Sequence, residues 1–307
     1  MPTMRDAFLD QLYDIAKEDK RVVLLSDDFG APSLDKFRAD LSGQFVHIGI
    51  AEQNMINVAG GLALAGKIVY TYAIAPFVPL RCLEQLKVNL CFKDLHITCV
   101  GVGAGFSYEL SGPTHHTTED IAIMNAMPSI TVLSCSDSVM AAALAGLTYE
   151  TPGPKYVRFD REAIPPIYRE GDNDFLEGLT VLRESPDLTI IATGIMVNQA
   201  FKVAAELAKQ GIEVGVVDFF RIKPINEKLL LQVTQQSKRI VTLEEASING
   251  GIGSIVAGFL ADNGQALPLK RLGIPDQYYH KYGDREYLRS LCSLDVPSIT
   301  KTIREWL

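Results

Sequence analysis

The chain has 307 residues, 47% apolar and 21% charged, which describes a folding globular sequence long enough for two domains. Its 29 Lys and Arg against 37 Asp and Glu leave a net charge of −8, which excludes a face that tracks nucleic-acid phosphates. No apolar run reaches the roughly 18 residues of a membrane span, and Arg5, Asp6, Asp10 and Asp14 interrupt any signal-peptide core. The five cysteines form no CxxC, so a reducing cytoplasm is expected.

In chain order, residues 5–17 have helical periodicity, 21–25 read as a strand, and 26–33 as a turn-rich stretch. A strand over 45–50 leads into a helix over 52–65, followed by strands at 67–74, 96–100 and 129–134. Helices are expected at 83–92, 119–127 and 139–149. After a loop rich in proline and acidic residues at 165–174, the alternation resumes with strands at 188–193, 213–218, 239–243 and 269–272. Helices at 197–210, 227–236 and 253–261 accompany them. The pattern predicts an α/β protein: two doubly wound domains with mostly parallel sheets, at 1–170 and 187–307, joined by a linker at 171–186.

Two glycine-rich turns, Gly101-Val102-Gly103-Ala104-Gly105 and Gly250-Gly251-Ile252-Gly253, could cradle phosphate or could simply be tight strand–helix turns. Neither is G-x-G-x-x-G, and no Walker A motif exists, so a dinucleotide site is unsupported. His115 and Glu119 have the spacing of metal ligands, but the segment also reads as a helix start capped by Thr117 or Thr118. No metal site is predicted in this chain. Gly112-Pro113 would fix His115 on a loop beyond a strand end, a position that carries function in α/β sheets. Glu52 opens a helix rich in small residues (Ala59, Gly60, Gly61, Ala63), which implies a tight interface.

Ile48-Gly49-Ile50-Ala51-Glu52-Gln53, Gly112-Pro113-Thr114-His115, Glu244-Glu245 and Gly250-Gly251-Ile252-Gly253-Ser254 occur in an order and spacing that resembles transketolases and 1-deoxyxylulose-5-phosphate synthases. The resemblance covers the pyrimidine-binding and C-terminal domains of those enzymes. Their Gly-Asp-Gly…Asn element for magnesium and diphosphate has no counterpart here. The chain therefore resembles the second subunit of a split transketolase, and its Met-initiated start reads as that of a separate polypeptide.

The resemblance implies thiamine diphosphate as cofactor, with Mg2+ held mainly by a partner, an N-terminal transketolase subunit carrying the diphosphate-binding domain, in an α2β2 heterotetramer. A glutamate matching Glu52 hydrogen-bonds the aminopyrimidine and promotes the tautomer that takes the thiazolium C2 proton. Phe77 matches the aromatic that stacks on the pyrimidine, with Tyr72 as a competitor, and Asp28 matches an acid near the cofactor. Arg5, Ser33 and Arg161 match residues that bind the sugar phosphate, Arg81 an arginine of the deoxyxylulose-phosphate synthases, and His115 a histidine on substrate hydroxyls.

Two departures bear on specificity. Ser111 stands where transketolases carry an aspartate, and Gly103 near a position where they carry a histidine. The expectation is transfer of a two-carbon ketol unit from an anionic ketose, a modified or sulfonated sugar, outside the usual pentose-phosphate pair. A subunit similar to the deoxyxylulose-phosphate synthases or to a 2-oxoacid dehydrogenase β chain is the alternative enzyme, and a non-catalytic assembly subunit the alternative of another class.

Overall fold

The β-branched runs of the first half become the parallel strands β1 (Val22–Ser26), β2 (Phe45–His47), β3 (Ile68–Ile74), β4 (Ile97–Val102), β5 (Thr131–Ser134) and β6 (Lys155–Phe159). The helix α1 (Met4–Glu18) precedes them, and between them run α2 (Asp35–Asp40), α3 (Glu52–Leu64), α4 (Leu83–Gln85), α5 (Asp120–Ala126) and α6 (Ser138–Glu150). The second half supplies β7 (Leu179–Arg183), β8 (Thr189–Ala192), β9 (Gly215–Phe219), β10 (Arg221–Lys223), β11 (Ile240–Ser247) and β12 (Leu269–Ile274). Its helices are α7 (Met196–Ala208), α8 (Glu227–Gln235), α9 (Ile252–Asp262), α10 (Arg285–Leu291) and α11 (Val296–Trp306). This computed structural model describes residues 1–27, 32–171, 173 and 175–307.

Among the described residues, one seven-stranded sheet runs β10-β5-β6-β4-β3-β1-β2 and one five-stranded sheet β12-β11-β8-β9-β7. β7 and β10 are the antiparallel members. β10 follows β9 directly yet pairs with β5, so the second half lends an edge strand to the first sheet. β7 falls inside the segment 171–186 and hydrogen-bonds β9, so the second sheet begins earlier than its central strand β8.

Local chemistry explains these elements. Thr3 caps α1 by accepting from the Asp6 N–H, and Phe8, Leu9, Leu12 and Ala16 bury one face of the helix. Asp137 caps α6 through Met140 N–H at 2.8 Å, and its other oxygen accepts from Ile167 and Tyr168, which ties down the chain after β6. β3 alternates as a two-faced strand should. Val69 and Ala73 pack with Met55, Ile56 and Ala59 of α3, whereas Tyr70 and Tyr72 pack with Phe8 and Phe159 on the α1 side.

Several sequence readings change. β6 was not expected, because Lys155 and Arg158 make it look amphipathic although it is buried throughout. Lys155 Nζ donates to the carbonyls of Thr151 and Gly153, and Arg158 Nε donates to Asp120 at 2.7 Å. α10 and α11 were also not expected, despite caps from Asp284 and Asp295. The helix expected over 83–92 widens after α4 into an i→i+5 turn at Leu86–Cys91, with Phe92 N–H donating to the Lys87 carbonyl at 2.9 Å. Neither Thr117 nor Thr118 caps α5: Thr117 Oγ1 donates to the Gly103 carbonyl and Thr118 Oγ1 to Glu119.

Candidate active site

Parallel strands present their carboxyl ends on one side of a sheet, where ligands of α/β proteins bind. Glu52 follows β2, Phe77 follows β3, the loop 103–118 follows β4, and Arg161 follows β6. The chain enters α3 through a turn at Gly49, whose φ of +76° suits glycine and whose N–H donates to His47 Nδ1 at 3.0 Å. No side chain caps α3, and Glu52 in its first turn complements the helix dipole. The Glu52 side chain is only 2% exposed.

Arg81 meets this buried acid: its Nη1 donates to Glu52 Oε1 at 2.5 Å. The same guanidinium lies over the Phe77 ring, 4.2 Å from its centroid. Gln53 Nε2 donates to the Arg81 carbonyl at 3.0 Å, so the residue beside Glu52 fixes the backbone from which Arg81 reaches. The small-residue helix is tight on one side: a β-carbon at Gly60 would sit 3.2 Å from Asn89, whereas Gly61 faces open space.

Beyond Phe77 the site continues through aromatic contacts. The His115 ring stands edge-on to Phe77 at 5.3 Å, near Tyr108 at 6.1 Å, and its Nδ1 shares a 2.9 Å hydrogen bond with Thr114 Oγ1. Arg161, exposed, places its guanidinium over Tyr108 at 4.7 Å. Thus Glu52, Arg81, Phe77, His115 and Arg161 form one continuous series of contacts, with Tyr108 as the link that sequence reasoning missed. The available signal was Gly103: its φ is +100°, and a β-carbon there would overlap the Tyr108 ring. Ser111 ends the short turn Glu109–Ser111 in the same loop and is exposed.

The remaining expected residues lie outside this series of contacts. Arg5 is held by Asp6 at 3.0 Å and leans on Tyr72, on the α1 side of the sheet. Ser33 sits in the turn Pro32–Leu34 that packs on α1. Tyr72 is 2% exposed in that core and points away from α3, unlike Phe77. Asp28 lies outside the described residues.

The second sheet holds the root of the site loop. Phe106 N–H donates to Glu245 Oε1 at 2.8 Å, Ser247 N–H to the Thr118 carbonyl at 2.6 Å, and Gly105 pairs with Thr117. Arg285 joins Glu245 to Asp160 at 2.6 Å each, all three being buried. Burial alone would raise the Glu245 carboxyl, but the adjacent Arg285 and Arg289 guanidinium groups prevail and hold it at about 2. Glu244 points the other way and accepts from Ile252 and Gly253 N–H groups, so the Gly250–Gly253 turn cradles a carboxylate of the protein itself. Burial pushes Glu244 up to about 7 despite those two hydrogen bonds.

Among the described residues, no group of three His, Cys, Asp or Glu side chains could hold a metal ion, and no helix is long and apolar enough to cross a membrane. The five cysteines are free and buried.

The family described as "Transketolase, pyrimidine binding domain" matches residues 1–166, and "Transketolase, C-terminal domain" matches 178–299. The chain is similar to one subunit of an apulose-4-phosphate transketolase from Phocaeicola vulgatus, 35% identical over 309 residues, covering 100% of this chain and 98% of that one. It is also similar to a 6-deoxy-6-sulfo-D-fructose transketolase subunit from Clostridium sp. strain MSTE9, 36% identical over 303 residues, covering 98% and 94%. Among solved structures, a split-gene transketolase in the form of an inactive β4 tetramer superposes with a TM-score of 0.88 at 30% identity, covering 99% and 97%.

Proposed function

The chain belongs to the transketolase family, and we propose that it is one subunit of a split transketolase that moves a two-carbon ketol unit from a ketose to an aldose. The observation that carries this reading is the pairing of a buried carboxylate, Glu52, with an aromatic face, Phe77, across a space that accepts a flat N–H donor. The guanidinium lying there has the planarity and the donor chemistry of a ring-protonated aminopyrimidine, so the residues present fit that half of thiamine diphosphate. When bound, the cofactor supplies the electron sink that an amino-acid side chain cannot.

The rest falls to this chain's own residues. Glu52 would share a proton with the pyrimidine ring nitrogen, donating it to the neutral ring or accepting it from the protonated one. Phe77 supports the ring. His115, fixed by Thr114 and flanked by Phe77 and Tyr108, presents its Nε2 to sugar hydroxyls beside Ser111. Arg161, steered by Tyr108, binds the anionic end of the sugar, with Arg5 and Ser33 assisting. A partner subunit with the diphosphate-binding domain supplies the Mg2+ site and completes an α2β2 assembly, in the cytoplasm that five free thiols suit. The relatives named for apulose 4-phosphate and 6-deoxy-6-sulfofructose support a modified or sulfonated sugar as substrate.

The test is reconstitution. Purified chain with thiamine diphosphate and Mg2+ should be inactive, and addition of a partner bearing Gly-Asp-Gly…Asn should produce ketol transfer on a panel of anionic ketoses. Robust turnover without the partner, or none with it, would overturn the proposal.

A further inference from the structure

We propose that Arg81 is a placeholder: in the unloaded subunit it occupies the pyrimidine position, and it must leave when the cofactor docks. The inference rests on the reading of Glu52 and Phe77 given above. One planar cation makes the two contacts that a ring-protonated aminopyrimidine would make, a donated hydrogen bond to Glu52 Oε1 at 2.5 Å and a stack on Phe77 at 4.2 Å. Glu52 is 2% exposed, and a buried carboxylate is costly to leave without a partner, so the pocket favours an occupant before the cofactor arrives. Arg81 is 42% exposed on its other side and can withdraw into solvent without breaking the core. Its backbone, tethered through Gln53, stays in place while the side chain moves, so exchange needs only rotamer changes.

The placeholder lowers apparent affinity for the pyrimidine, because binding must first break the resident ion pair and cation–π contact. It also keeps the unliganded subunit from leaving a buried charge unpaired. A positioning role, in which Arg81 orients Glu52 for the cofactor, predicts the opposite sign, which makes the two separable.

The experiment titrates the full-length chain with 4-amino-5-hydroxymethyl-2-methylpyrimidine, the aminopyrimidine half of the cofactor, followed by ligand-observed NMR. Arg81→Met should bind it about tenfold tighter than the parent, from the loss of one ion pair and one cation–π contact. Arg81→Lys, which keeps the charge but not the planar fork, should fall between them. Glu52→Ala introduced into Arg81→Met should abolish binding. Equal or weaker binding by both Arg81 variants, with Glu52→Ala still abolishing it, overturns the placeholder and leaves the pyrimidine pocket standing. Binding that ignores Glu52→Ala, or no binding by any variant, overturns the pocket and the placeholder together.

Discussion

Phe106 donates its backbone N–H to Glu245 Oε1 at 2.8 Å, so the loop that carries Tyr108, Ser111 and His115 hangs from a carboxylate of the other sheet. Glu245 in turn neutralises Arg285 and Arg289, which are 5% and 3% exposed. The second half of the chain thus acts on the site by fixing the root of a loop.

Glu245→Ala should therefore destabilise the protein by roughly 3–5 kcal/mol, because it removes the one buried carboxylate that two buried guanidinium groups share and leaves them under-neutralised. Urea unfolding measures this, and a loss below about 1 kcal/mol would contradict it. The same pair predicts acid sensitivity. The Glu245 carboxyl is lowered in the folded state from an ordinary 4.5 to about 2. Its contribution is present above the unfolded value and is lost as pH falls from 4.5 toward 2.

Asp218 carries the opposite dependence. It is buried between Ser136, at 2.7 Å, and Tyr168, at 3.0 Å, and burial pushes its carboxyl from 3.8 up to about 7. The folded state then keeps a proton that the unfolded chain has released, so stability falls as pH rises from 3.8 to about 7, by about 1.4 kcal/mol per pH unit. Asp218→Asn should reduce the slope of urea midpoints between pH 5 and 7 by about half, leaving the comparable slope of Glu244, which is also raised to about 7. An unchanged slope would show that Asp218 ionises freely.

Gly103→Ala should cost about 2 kcal/mol or more, combining a left-handed φ with overlap on Tyr108. Adding Tyr108→Ala removes the overlap but not the backbone strain, so the double variant should recover part of the loss in a mutant cycle. Strict additivity would mean that the ring does not fill the space above Gly103.

Ser111→Asp should move donor preference in the reconstituted enzyme toward xylulose 5-phosphate, since it restores the carboxylate that transketolases place before Gly-Pro-Thr-His. Comparing kcat/KM for xylulose 5-phosphate with that for the best anionic donor measures the shift. An identical ratio in both proteins would remove Ser111 from the specificity argument.

The alternation of strands and helices was legible because apolar periodicity survives in most elements, from the helical face of α1 to the β-branched runs of β1 and β8. β6 was not legible because Lys155 and Arg158 are buried with partners 4 and 38 residues away, which no local pattern reveals. Within the site, Glu52 and His115 stood out by motif. Arg81, which the resemblance matches to an arginine of the deoxyxylulose-phosphate synthases, lies on Glu52, 29 residues back along the chain, a pairing no motif announces. Tyr108 carried no motif at all, since its role comes from the empty volume at Gly103 and the cation at Arg161. Contacts between strand ends depend on topology, and topology is where local pattern stops.

Glu52 is, on this account, the acid that serves the cofactor's pyrimidine. Hydrogen–deuterium exchange at thiamine diphosphate C2, followed by NMR in the reconstituted complex, tests it most directly. Glu52→Gln is nearly isosteric, so assembly should persist while exchange slows by about 10²-fold or more. Exchange at the parental rate in a fully assembled Glu52→Gln complex would contradict the account.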